Sequence, residues 1–538
     1  MKRAKHILSV MLILFLFSCS ENKRGSIFQK EIVNIDAVQK DLYSKFKHID
    51  TSDAGFPNKL FLDRELNVSC AYQFVDYKPF WFDNGGLNNA GNALFNQLNA
   101  LQNEGLNPDD YNVSLIHGIM QAVKNGGASN KDSVEKWDVF MTHSYLSAAR
   151  DLLMGKDEKV LDEDWHMSND STFNGAKILA NRFFKKDTTA FELFDDFRPK
   201  NKLYKAMLKS ISFWQNLNKD SVYLNLKAHA NFKNDSITNF VLKKELGKIN
   251  PELYDKDSLS AIIAAYQRIH NLKVTSKVND ATIASLRHEP AYYIRKLIWN
   301  LTRMQFMPQS FGDEFVWVNI PSMKMQMIKN NAVAYECKAI VGKKSRATPS
   351  LNAVMTNVVF NPSWVIPPTI LKNDVQSGIN RSGNSYLKRK GFHAVNSSGK
   401  DVTNSVTSSN YKQFSYRQSP GSDNALGLVK FNLPNPWHIY LHDTPYKSAF
   451  SQDDRALSSG CIRLEHAKDF ALYLLESKNY DSAKVADIIS TKKTKTVNLE
   501  ETIPVYIVYL TISLDNQSGD LIYLNDIYNK NTYGKEQK

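Results

Sequence analysis

Apolar residues along the chain recur first at helical and then at strand spacing, and the change falls near residue 313. In Ala90–Leu101, Leu94, Leu98 and Leu101 form one stripe that Gly105 ends, and Asp138–Met154 repeats the pattern with Phe140, Tyr145, Leu146, Ala149 and Leu153. This texture predicts a helical domain over 36–228. A small three-helix module is predicted over 229–288: Ile237, Phe240, Val241 and Leu242 open one helix, Leu259–Gln267 forms a second, and Asn279–Leu286 a third after a turn at Asn271–Val274. A linker helix is expected over 289–312. Period-2 alternation then predicts strands in Phe315–Ile320, Ala332–Val341, Val354–Phe360, Gly427–Phe431 and Trp437–His442, with a closing strand at Val505–Thr511. The prolines of Asn361–Pro368 make that stretch a rigid turn. After Cys461 one helix follows, carrying Ala467, Phe470, Ala471, Leu474 and Leu475. Residues 374–425 follow neither period and are rich in Ser, Asn and Gly, as expected of a functional insertion in a strand-rich domain. Residues 516–538 read as a polar tail.

Composition narrows the class. With 538 residues the chain holds about three or four domains at roughly 150 residues each. An apolar share of 42% against 23% charged excludes wholesale disorder. A formal charge of +13 would suit nucleic acid, anionic lipid or an acidic polymer, and no Lys/Arg block is long enough to choose. The 24 tyrosines fit a carbohydrate- or peptide-binding surface as well as a core.

The N-terminus is informative. Lys2, Arg3 and Lys5 precede an apolar run, Ile7–Phe17, that is too short for a bilayer-spanning helix of ~20 residues and of the length of a signal-peptide core. Leu16-Phe17-Ser18-Cys19 resembles the bacterial lipobox. The resemblance implies removal of residues 1–18, lipidation at Cys19, and a tether over 19–35; Ser20 after the Cys favours the outer membrane. Cys70, Cys337 and Cys461 show no metal-ligand spacing, and three is an odd number, so at least one is expected to be a free thiol.

Candidate chemistry gathers in two stretches, Trp437-His438-Ile439-Tyr440-Leu441-His442-Asp443-Thr444-Pro445 and Ser458-Ser459-Gly460-Cys461-Ile462-Arg463. In the first, period 2 puts Tyr440 and His442 on one face. In the second, a glycine before a Cys allows the N–H groups of Gly460 and Cys461 to face a ligand oxygen. Acyl transfer needs a thiol, a base and an oxyanion site. Cys461 supplies the first and His442 the second, and a neighbouring imidazolium is expected to lower the thiol pKa.

Together the two stretches resemble the signature of L,D-transpeptidases with a YkuD-like catalytic domain. Trp81 with Gly105–Tyr111 is similar to the scaffold domain of the large members, Gln418–Gly427 to the end of their lid, and Pro504-Val505-Tyr506 fits as well. The spacing of Tyr266-Gln267, Leu272 and Thr282–Leu286 resembles the three-helix peptidoglycan-binding module, without its usual glycines. The fold implied is α+β and multi-domain: a helical scaffold domain (36–228), the peptidoglycan-binding-like module (229–288), the linker helix, and a mostly-β catalytic sandwich (313–515) with a lid at 374–425. The resemblance implies Cys461 as nucleophile, His442 as base, Asp443 as its orienter through the backbone carbonyl, and Gly460 and Cys461 as oxyanion donors. A second reading makes the Asp443 carboxylate the third member of a triad. Tyr440, Ser458, Ser459 and Arg463 match pocket positions; Ser459 stands where many members carry a second His. The activity implied is 3→3 crosslinking of peptidoglycan stem peptides, with no metal or organic cofactor. An L,D-carboxypeptidase and a catalytically dead wall-binding lipoprotein are the alternatives. The expected protein is a periplasmic monomer, anchored by lipid to the outer membrane, that takes no nucleic acid.

Overall fold

The computed structural model describes residues 34–47, 64–84, 86–126, 130–156, 158, 161–169, 174–184, 192–233, 236–246 and 258–531. The expected signal peptide, Cys19 and nearly all of the tether lie outside the described residues. Six helices, Ile35–Phe46, Arg64–Phe74, Asn89–Ala100, Val113–Lys124, Lys131–Met154 and Gly175–Phe184, surround a core that includes Leu42, Tyr72, Trp81, Leu98, Ile116 and Tyr145. The sequence places their starts: Asn88 and Asn130 accept from Gly91 N and Asp132 N as N-caps. Asp138 is fully buried and accepts from Tyr72 Oη (2.5 Å), Phe80 N (3.0 Å) and Trp81 N (2.8 Å). Burial raises its carboxyl to about 6 against those hydrogen bonds. Trp81 is thus held by its backbone as well as by its ring.

Helices Lys202–Leu217 and Ser221–Ala228, expected with the first group, share a second core with the three-helix module, Ser236–Leu246, Leu259–Ile269 and Asp280–Leu286. Lys227 and Glu245, both buried, pair across that junction at 2.5 Å. The expected linker helix is Pro290–Gln305, and it is a buried spine. Leu297, Leu301 and Met304 enter the second core, Trp299 enters the core of the C-terminal strands, and the fully buried Arg303 pairs with Asp162 at 2.9 Å. Its apolar residues lie on more than one side, so it cannot face solvent as a linker would.

Eight strands form the ring of the C-terminal domain: β1 (Glu314–Asn319), β2 (Lys324–Lys329), β3 (Ala332–Gly342), β4 (Ser350–Phe360), β5 (Val429–Asn432), β6 (Leu441–His442), β7 (Ile462–Leu464) and β8 (Lys495–Val508). Their order, β1-β2-β3-β7-β6-β5-β4-β8, closes on itself, because β8 pairs with β1 and β5 with β4. Alternation sends Val316, Met325, Cys337, Val358, Phe431 and Leu441 inward. Strand β6 is shorter than the alternation predicts. Pro434 and Pro436 remove backbone donors, and His438 at φ 56 turns the chain, so pairing starts only at Leu441.

Between β4 and β5 the insertion folds as a unit. Strands Trp364–Val365, Ser415–Gln418 and Phe392–Val395 form a three-stranded sheet in that order, and helix Gln376–Arg389 packs on it. Trp364, Ile379, Leu387, Ala394, Tyr416 and Leu426 make its own core. Residues 516–531 are not a loose tail. Leu521–Tyr523 pairs with Ile512–Leu514, and the buried Tyr528 hydroxyl donates to Gly342 O (2.5 Å) and accepts from Thr348 N (3.2 Å). Cys70 and Cys337 are free thiols buried in different cores. No helix among the described residues is long and apolar enough to cross a membrane.

Candidate active site

Strand register assembles the site. Lys430 on β5 lies opposite His442 on β6, and His442 lies opposite Arg463 on β7. Directly opposed residues share a face, so these three side chains form a row on the outside of the ring. Cys461 immediately precedes β7, where Ile462 N donates to Tyr440 O at 3.1 Å. The thiol lies against the β6 entry loop, with Sγ 3.6 Å from His438 O. The Tyr440 ring stands 5.5 Å from the His442 ring, and Lys430 Nζ lies 4.3 Å over the Tyr440 face. Trp364 donates to the Tyr440 hydroxyl, and Tyr440 packs on the core of the insertion. The insertion therefore covers the row, and His442 is only 4% exposed.

His442 Nδ1 meets Asp443 O at 2.5 Å. A carbonyl only accepts, so Nδ1 carries the proton and Nε2 presents a lone pair. The Asp443 carboxylate is engaged elsewhere: it accepts from Leu428 N (2.9 Å) and Lys447 Nζ (2.5 Å). Gly427 at φ +62 permits this, since a Cβ there would meet the Asp443 carboxylate. The side-chain triad is corrected on that geometry; the backbone carbonyl faces the imidazole.

The electrostatics correct a second expectation. Burial, with Arg463 and Lys430 beside it, holds the His442 imidazole down to about 3. Burial pushes the Cys461 thiol up, opposed by the Tyr440 N–H and hydroxyl and by the Lys430 and Arg463 charges. Both shifts favour the neutral thiol and the neutral imidazole over thiolate and imidazolium. An acylation rate that depends on His442 is then flat through about 6.5, where an ordinary imidazole titrates, and declines only as pH falls toward about 3, where His442 takes its proton. Carbapenem adduct formation measured by mass spectrometry across pH checks this; an inflection near the ordinary value would mean an ionised pair.

Ser458 is 2% exposed, donates to Cys461 O at 2.6 Å, and accepts from Gly460 N at 3.2 Å. Both bonds stay inside the loop, so Ser458 positions Gly460-Cys461 and does not line a substrate pocket. The Gly460 N–H is already engaged there, and the Cys461 N–H has no acceptor among the described residues. Gly460 needs its φ of +119 for this turn. Thr348 Oγ1 donates to Gly460 O at 2.7 Å, and Tyr528 holds Thr348, so the C-terminal segment braces the cysteine loop. Ser459 is exposed and accepts from Arg346 Nη1 at 2.8 Å. Arg463 Nε is buried and has no hydrogen-bond partner among the described residues.

Two neighbours were missing from the sequence reading. Lys430 becomes part of the site only through strand register. Arg346 ties the cysteine loop to the insertion: besides Ser459 it forms a two-pronged ion pair with Asp374, with Nη2–Oδ1 at 2.8 Å. The pair holds the Asp374 carboxyl below its ordinary value. In the β6 entry loop an exposed Trp437 stacks at 4.2 Å on His166 from the N-terminal half.

Row, thiol, directed imidazole and unoccupied N–H are the parts of a cysteine acyl-transfer site. Residues 67–210 match the family model of a scaffold domain, and residues 313–506 match that of the YkuD L,D-transpeptidase catalytic domain. A provisionally named L,D-transpeptidase of Haemophilus influenzae is 32% identical over 237 residues, 44% of this chain and 47% of its own length. The chain thus spans about half the length of that relative. Two solved structures are also similar. The Ldtfm–avibactam carbamoyl enzyme is 12% identical, covering 38% of this chain and 51% of that one at a TM-score of 0.19. An L,D-transpeptidase from Mycobacterium smegmatis is 14% identical, covering 36% and 58% at 0.17. Similarity at those scores carries no argument about shape. The family matches and the H. influenzae relative agree with the residues of the site: the chain carries a YkuD-type L,D-transpeptidase catalytic domain behind a helical scaffold domain.

Proposed function

We propose that this protein is an L,D-transpeptidase that forms 3→3 crosslinks between peptidoglycan stems through an acyl-enzyme on Cys461. The observation that carries the reading is the His442–Asp443 carbonyl bond, which leaves the Nε2 lone pair as the base, on the strand that lies beside the one Cys461 immediately precedes. Cys461 Sγ attacks the carbonyl that joins the third stem residue, expected to be meso-diaminopimelate, to the terminal D-Ala. His442 takes the thiol proton as the C–S bond forms. The Cys461 N–H faces the developing oxyanion. The C–N bond then breaks, His442 returns its proton to the leaving D-Ala amine, and a thioester remains. A side-chain amine of a second stem attacks, gives its proton to His442, forms the new amide, and frees the thiol. Arg463 and Lys430, which flank His442 in the row and have no ion pair among the described residues, hold the stem carboxylate.

A water-shielding insertion favours an amine over water as acceptor. Incubating the enzyme with tetrapeptide muropeptides and resolving products by mass spectrometry is expected to give dimers joined between two diaminopimelate residues. Tripeptides alone, at every substrate concentration, would make the enzyme an L,D-carboxypeptidase.

The run Leu16–Cys19 supports a lipid anchor at Cys19 and a place in the periplasm on the outer membrane. Alkyne fatty-acid labelling is expected on the native chain and absent from Cys19→Ala; label retained by the variant would remove the anchor from Cys19.

A further inference from the structure

The outer face of β1–β3 forms the floor of a groove of about 830 Å³. Around the ring, β1 lies four strands from β6 in either direction, so the groove opens on the wall opposite His442. Period 2 makes the floor: Trp317 lies opposite Gln326, and Gln326 opposite Glu336, so the three form one outward row, while Val316, Val318, Met325 and Met327 face the core. Trp317 is half-buried, its ring braced by Phe311 at 5.1 Å, which leaves a fixed aromatic surface at the floor. The walls come from three other parts of the chain: the start of helix Lys202–Leu217, the end of helix Leu259–Ile269, and the turn after Ile512–Leu514.

Four cations line the groove, Lys200, Lys202, Arg268 and Lys324, against two carboxylates, Glu336 and Asp515. Lys324 pairs with Glu336 at 2.6 Å. Lys200 and Lys202 donate to carbonyls, Asp195 O and Asn331 O, and neither has an ion pair among the described residues. Arg268 is exposed and has no ion pair among the described residues. We propose that this groove is a second binding site, which grips an anionic glycan strand of the cell wall while the stem peptide is processed on the opposite wall. Sugar rings present C–H faces to an aromatic ring, and their hydroxyls pair with amide and carboxylate groups such as Gln326 and Glu336. The lactyl carboxylates of peptide-free sugars, or the peptide carboxylates where a stem is attached through the lactyl group, meet Lys200, Lys202 and Arg268. A nucleic acid would place phosphates against Glu336 and Asp515, so the glycan is the better complement. The proposal rests on the wall polymer being the substrate.

The test uses the full chain in mild detergent with Cys461→Ala, so that bound wall is not processed. Co-sedimentation with purified sacculi, and binding to peptide-free glycan strands, are measured for this chain, for Lys202→Glu/Arg268→Glu, and for Trp317→Leu. The paired charge reversal sits on exposed side chains and decides the outcome: roughly tenfold weaker binding is expected, with a steeper loss as salt rises in the parent. Trp317→Leu keeps apolar volume under Phe311 and is expected to lose glycan binding as well. With Cys461 restored, the charge-reversed chain is expected to form its carbapenem adduct at the parent rate. Undiminished sacculus binding by the charge-reversed chain, or tighter binding to a single-stranded DNA oligonucleotide than to glycan, would overturn the groove site. Absence of a carbapenem adduct on the parent thiol would instead strike the catalytic reading, whatever the sacculi show.

Discussion

Cys461→Ala is expected to abolish both turnover and the covalent carbapenem adduct while leaving the melting temperature within about 3 °C of the parent. The loop does not depend on the thiol: Ser458, Thr348 and the Gly460 turn hold it through their own hydrogen bonds. His442→Ala is expected to slow adduct formation by roughly 10³-fold, the scale of a lost general base. In contrast, Asp443→Asn is expected to change the rate less than about threefold, because the group that faces the imidazole is a backbone carbonyl and the carboxylate bonds Leu428 N and Lys447. Intact mass spectrometry of the three variants after carbapenem exposure checks the series. Adduct on the Cys461→Ala chain would move the nucleophile to another residue. A collapse in Asp443→Asn with unchanged melting would return the carboxylate to the catalytic unit.

The same series marks where the sequence is readable. Strands β1 and β3 show their alternation because they run 6 and 11 residues with one buried face. The inserted sheet has strands of 2 to 4 residues, too short to show a period, and its core is drawn from residues as far apart as Trp364 and Leu426. Cys461 and His442 are legible because motif and chemistry coincide within a few residues. Lys430 and Arg346 are not, because they reach the site through strand register and an ion pair across 28 residues. Tyr528 hides in a polar run, where one aromatic ring and its hydroxyl do the packing. Ser458 illustrates the converse: its place in the motif suggests contact with substrate, while its two short-range bonds make it a brace. The ionisation of the pair was beyond the sequence altogether, since it depends on how deeply the insertion buries His442.

That dependence makes removal of the insertion the most informative deletion. Its two ends meet: Asn361 N donates to Leu428 O at 2.9 Å, and Phe360 lies opposite Val429 in the ladder. Replacing residues 363–425 by a short Gly/Ser linker therefore closes a short loop between neighbouring strands at small entropic cost. The insertion keeps its hydrophobic core apart from that of the ring, so the ring is expected to stay folded. Its loss removes Trp364 from Tyr440 and uncovers the His442 row. Exposed to water, His442 returns from about 3 toward the ordinary imidazole value. Because the neutral imidazole is the base, the sign is unambiguous: the deletion variant gains an acid limb near about 6.5 that the parent lacks. Stem-peptide turnover is expected to fall by about 10²-fold or more through lost positioning and desolvation, and the residual product to shift from crosslinked dimers to tripeptides as water reaches the thioester. Adduct formation followed from pH 4 to 8, beside thermal melting, reads all of this. A variant that fails to melt cooperatively would place the insertion within the catalytic core, and a melting variant with the parent's flat profile would assign the burial of His442 to the ring itself.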